Sequence, residues 1–145
     1  MIEPIHDFSK EHDHDVALDL TQGPPRFYVM ALDPTGLCFH AIARHIRTTQ
    51  CLGSTQQLPW YMGVALPSDP LNPNGTPDEA SLKVFHIPGH LGIKLHKATW
   101  HAGPLFSEPQ RHLFYNLELI DTNVTDFNTY DWTDQHTFVF DPIDA

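Results

Sequence analysis

Thirteen prolines and eight glycines break this chain into short pieces. Proline removes a backbone donor and clashes inside a helix, so punctuation this dense disfavours long helices. Between the breaks lie short apolar runs with period-two alternation, the mark of strands whose two faces differ. Phe, Tyr and Trp are plentiful. The 145 residues are enough for one domain with a substantial core. Many short strands separated by turn signals predict an all-β fold, a β-barrel or jelly roll.

Residues 1–15 read as a separate polar segment, with His6, Asp7, His12, Asp13, His14 and Asp15, ahead of a single domain over 16–145. Loose His/Asp tracts have metal donors but seldom build a specific site. Strands are expected at Arg26–Leu32 and Leu37–Arg44, joined as a hairpin by the turn Asp33-Pro34-Thr35-Gly36. A further strand is expected within Gln57–Leu66, with Trp60, Met62, Val64 and Leu66 on one face. Pro67–Asp78 reads as a loop. Strands follow at Leu82–Ile87, from Gly92, at Leu113–Ile120 and at Thr137–Phe140. In Leu113–Ile120, Phe114, Asn116 and Glu118 share a face opposite Tyr115, Leu117 and Leu119.

The formal net charge of −10 argues against binding to nucleic acid or an anionic membrane surface. Between Leu37 and His101, however, Arg44, Arg47, Lys83, Lys94 and Lys97 outnumber Asp69, Asp78 and Glu79. A basic centre in an acidic chain suits a small anionic ligand, and equally suits lysines solvated on outer faces. Cys38 and Cys51 each sit beside an apolar residue and read as small hydrophobes, too few for a disulfide framework or a zinc site. No apolar run is long enough to span a membrane and no secretory h-region opens the chain. The expectation is a cytoplasmic protein, in which the sequons at Asn74 and Asn123 are chance matches.

The stretch from Gly92 to Phe106 is the richest in chemistry. Lys94 and His96 alternate with Ile93 and Leu95, and His101 follows Trp100 just before a Gly-Pro break. With His45, Gln50, Asn116 and Glu118, these residues are candidates to line a site in the mouth of a barrel. Alternation alone does not say which face is inside, so Lys94 and His96 also fit an outer face. His45 and Gln50 lie five apart, a spacing similar to one that carries a metal-binding His and Glu in cupin barrels, where His101 would supply a later ligand. Here Gln50 replaces the acid and Arg47 the adjacent His, and Gln is a poor ligand for transition metals.

The chain resembles the ureidoglycolate lyase family, often labelled ureidoglycolate hydrolase, most closely its plant-like and cyanobacterial-like branch. The resemblance rests on Leu18–Gly23 with Pro25–Tyr28, on Thr49–Ser54, on Trp60–Ala65, on Lys94–His96 through Trp100–Phe106, and on Tyr115–Leu119 through Thr122–Val124. His96, Trp100 and His101 match the bacterial lyases, whereas Lys94 stands where they carry Asn and Ala102-Gly103 where they carry His-Pro. The resemblance implies a cupin-like barrel, a homodimer, and cleavage of ureidoglycolate to glyoxylate and urea in purine (allantoin) catabolism.

That reaction needs a base for the hydroxyl proton, an acid for the leaving nitrogen and a cation for the carboxylate. The expected catalytic residues are His101 as base, His96 or His45 as acid, and Glu118. The expected substrate-binding residues are Lys94, Arg44 and Arg47 for the carboxylate, Gln50 and Asn116 for the ureido group, and Trp100. One alternative is a metal-dependent cupin enzyme acting on another small hydroxy or keto acid. There His45, His96 and His101, with Gln50 or Glu118, would hold a divalent ion. The other alternative is a barrel that binds a carboxylate without catalysis.

Overall fold

A computed structural model describes residues 1–5, 15–132 and 137–142. The strands are β1 (Ile2–Ile5), β2 (Pro25–Leu32), β3 (Cys38–Phe39), β4 (Ala41–Arg44), β5 (Gln50–Ser54) and β6 (Trp60–Ala65), followed by β7 (Lys83–Ile87), β8 (Gly92–Leu95), β9 (Trp100–Leu105), β10 (His112–Leu119), β11 (Asn128–Asp131) and β12 (Phe138–Val139). Helix is confined, among the described residues, to a 3₁₀ turn at Glu79–Ser81 and the single turn α1 (Thr122–Thr125). Three antiparallel sheets result: β1-β8-β5-β10-β2, β11-β4-β9-β6-β7, and the pair β12-β3. The fold is all-β, as the proline density and strand alternation predict.

The two five-stranded sheets share a core. Leu52, Ile93, Leu95 and Phe114 from the first sheet pack with Trp60, Met62 and Val64 from the second. The far side of the second sheet is also covered, by Phe39, Ile42, Tyr61, Trp100, Ala102, Leu105 and Trp132. This explains why every residue of β6 is buried: its two faces meet two different apolar clusters. At one end of the shared interior the lining turns polar. The inner face of β10 passes from Phe114 to Asn116 and Glu118, and that of β5 from Leu52 to Gln50.

Three differences from the sequence expectation matter. The segment before residue 16 is not merely a polar extension, because Ile2–Ile5 pairs with β8 along its whole length. The His/Asp tract expected there lies largely outside the described residues. Arg26–Leu32 and Leu37–Arg44 do not form a hairpin. β2 pairs with β10, β3 with β12, and β4 with β9 and β11, so residues 33–36 carry the chain out of the first sheet. The eight-residue β10 matches β2 residue for residue, a longer ladder than β3 and β4 could offer. Finally, Leu66 lies beyond β6 and is exposed, while Trp60, Met62 and Val64 keep their common buried face.

Candidate functional site

β10 supplies the floor of the site. Asn116 and Glu118, two residues apart on one strand, project to the same side. Neighbouring strands extend the row: Gln50 Nε2 donates to Asn116 Oδ1 at 3.1 Å, and Asn116 Nδ2 donates to the Tyr28 hydroxyl at 3.0 Å. The Tyr28 hydroxyl donates in turn to Glu118 Oε1 at 3.0 Å, and Arg26 Nη2 donates to the same oxygen at 2.7 Å. The Arg26 guanidinium also lies 4.3 Å from the centre of the Tyr28 ring. Burial and the Glu118 carboxylate raise the Tyr28 phenol above its usual pKa, which keeps it a donor.

This row is unevenly satisfied. Glu118 is 1% exposed; its Oε1 is the acceptor of these bonds, while its Oε2 has no partner. Gln50 Oε1 is likewise buried without one. Buried acceptors left open cost free energy unless something donates to them. Both residues line a cavity of about 310 Å³, together with Tyr28, Asn116, His45 and His101, but the two open oxygens lie beneath its surface, so a ligand's N–H or O–H meets them only once these side chains turn toward the cavity.

The opposite wall carries two imidazoles, His45 and His101, with ring centres 5.2 Å apart. His45 follows β4 and is held by Nδ1 against the Asp126 carbonyl at 2.8 Å. The Asp126 carboxylate meanwhile accepts from the backbone N–H of Ile46 at 2.9 Å and Arg47 at 2.8 Å, which fixes the turn carrying His45. His101 Nδ1 contacts the Thr99 carbonyl at 3.2 Å. Burial, with the neighbouring His45 adding to it, pushes the His101 imidazole down to about 3. Neutral His101 therefore keeps its proton on Nδ1, where a carbonyl can accept it, and leaves Nε2 as an acceptor. Gly103, at φ +123°, borders the same cavity.

Of the residues singled out from sequence, the fold gathers His45, Gln50, His101, Asn116 and Glu118 around one cavity. It does not bring Lys94, Arg44, Arg47 or Trp100 to it. Lys94 alternates with core residues Ile93 and Leu95, so it faces the other side of the sheet, where its Nζ lies 3.2 Å from Glu3 Oε2. His96 Nε2 lies 2.8 Å from the same oxygen. Arg44 is fully buried with its guanidinium 4.7 Å from the Trp100 ring centre, and it donates to the carbonyls of Asp69 (3.1 Å) and Asn72. Arg47 donates to Thr125 Oγ1 and the Gln22 carbonyl, each at 2.9 Å. Trp100 belongs to the core beyond the second sheet.

The basic centre read from sequence is thus balanced by acids from elsewhere in the chain: Glu3 for Lys94, Asp19 for Lys97 and Asp121 for Arg47. The metal set expected from sequence, His45, His96, His101 and Gln50, borders one small cavity. Among the described residues, no three His, Cys, Asp or Glu side chains are grouped to hold an ion, and His96 is engaged with Glu3. The functional residues missed from sequence are Arg26, Tyr28 and Asp126. For the first two a signal existed, since Arg26, Tyr28 and Met30 alternate along β2 and all face inward. Comparison with known proteins found no matching family model and no matching curated relative.

Proposed function

We propose that the chain is a ureidoglycolate lyase-like enzyme, built on a cupin-like jelly roll, that splits ureidoglycolate or a related small ureido acid. The single observation that carries this reading is the cavity, where an imidazole pair faces a buried amide–carboxylate wall with two open acceptors. Two five-stranded antiparallel sheets around one core are compatible with a jelly roll. Gln50 Oε1 and Glu118 Oε2 are buried acceptors without a partner, and a modest turn of either side chain would offer them to the N–H donors of a ureido group.

The reaction moves one proton from the substrate hydroxyl to the departing nitrogen. The C–O bond becomes the glyoxylate carbonyl, the C–N electron pair goes to nitrogen, and urea leaves. One imidazole suffices for both transfers, because the proton taken equals the proton returned. An imidazole held near 3 is too weak a base for this step, so His101 is better suited to accept a hydrogen bond and orient the hydroxyl. The proton-carrying role goes to His45, with its Nδ1 anchored on Asp126. Arg26, paired with Glu118, is the positive charge at this wall.

The test is release of glyoxylate and urea by purified protein supplied with ureidoglycolate. Catalysis above the spontaneous rate is expected, falling about 100-fold or more in His45→Ala. Absence of release, with or without added divalent metals, overturns the lyase reading. Ligand stabilisation without turnover would make the chain a binding protein instead.

A further inference from the structure

We propose that the site has a second, apolar subsite, and that its natural ligand is a ureido acid carrying an aromatic or branched aliphatic group. A cleft of about 510 Å³ adjoins the polar cavity and shares His101, Gly103 and Phe127 with it. The lining beyond those residues is mostly apolar: Phe39, Ile42, Ala43, Ala102 and Leu105 border it. Ile42, Ala102 and Leu105 are otherwise core residues, so the cleft exposes part of an apolar layer at the rim of a polar site. At its edge His40, Thr35 and Thr129 supply a polar rim, with His40 Nδ1 paired to Asp131 at 3.2 Å.

The occupant follows from continuity. A ligand whose N–H groups meet Gln50 and Glu118 must pass His101 and Phe127 to extend, and what lies past them is apolar wall. A substrate as small as ureidoglycolate has nothing to place there. A ureido acid with a phenyl or branched aliphatic substituent fills the cleft and removes apolar surface from water. This inference rests on the ureido-binding reading of the polar cavity.

The experiment compares N-carbamoylglycine with N-carbamoylphenylalanine by titration calorimetry. Neither carries the α-hydroxyl, so binding is read without turnover. The phenyl derivative is expected to bind at least about tenfold more tightly. Filling the cleft with Ala43→Phe, or with Thr129→Phe on exposed β11, removes that gain in proteins whose circular dichroism matches the parent. Equal affinities, or a gain that persists in both variants, overturn the subsite. If 3-phenylpropionate, which lacks the ureido group, binds as tightly as the phenyl derivative and the variants abolish both, the subsite stands and the ureido reading falls. If neither probe binds, both fall.

Discussion

Arg26 and Glu118 sit opposite one another in the β2–β10 ladder, and their side chains meet at 2.7 Å on the inward face. The pair is asymmetric: the arginine side chain is 29% exposed and the glutamate 1%. The carboxylate has given up its water, and Arg26, Tyr28 and Asn116 donate to it in its place.

Arg26→Met is therefore expected to destabilise the fold by about 2 kcal/mol in urea denaturation, less than the roughly 3–5 kcal/mol typical of a fully buried pair. The double variant with Glu118→Gln should recover at least about half of that, because no uncompensated charge remains. No recovery would mean that Arg26 acts through packing on Tyr28.

The depressed pKa of His101 makes stability depend on pH. The group titrates at about 3 in the folded chain and near 6.5 when unfolded. Between these values the unfolded state binds more protons, so stability rises with pH. The contribution is complete above 6.5 and is lost progressively as pH falls toward 3. Replacing His101 with Gln should flatten the melting temperature profile across that window. An unchanged slope would show that His101 does not titrate there.

Lys94→Met is expected to leave ligand affinity and turnover within about twofold, since the lysine faces Glu3 on the opposite side of the sheet. The substitution should instead loosen β1, read as faster amide exchange at residues 2–5. A large fall in affinity would return Lys94 to the ligand.

Arg44 links the core to the loop after β6, through the Asp69 and Asn72 carbonyls and the Trp100 ring. Arg44→Met keeps much of the stem packing and removes the donors. Residues 67–78 should then be cleaved several-fold faster in limited proteolysis, with the rest of the chain protected. Cleavage elsewhere first would argue that Arg44 supports the core as a whole.

The strands within Gln57–Leu66, from Gly92 and at Leu113–Ile120 were legible because alternation and turn residues act over a few positions. The polar face of β10 was legible for the same reason: Asn116 and Glu118 follow Phe114 at period two. Lys94 was not. Period two says that it opposes Ile93 and Leu95, and both assignments of the two faces satisfy that pattern. The partner that meets the lysine, Glu3, lies ninety-one positions away and pairs with it outside the shared core. The false hairpin at residues 33–36 has a similar origin, since a turn signal states that the chain changes direction and not which strand it meets next.

From the sequence alone came the all-β class, the positions of most strands and the residues fit for acid–base chemistry, because these follow from local backbone preferences and side-chain type. Tertiary structure alone decided which strands are neighbours, that Arg26 and Tyr28 join Glu118, and that Lys94 and His96 do not. The reason is that ion pairing and burial depend on distances between residues far apart in the chain, and no local pattern encodes them.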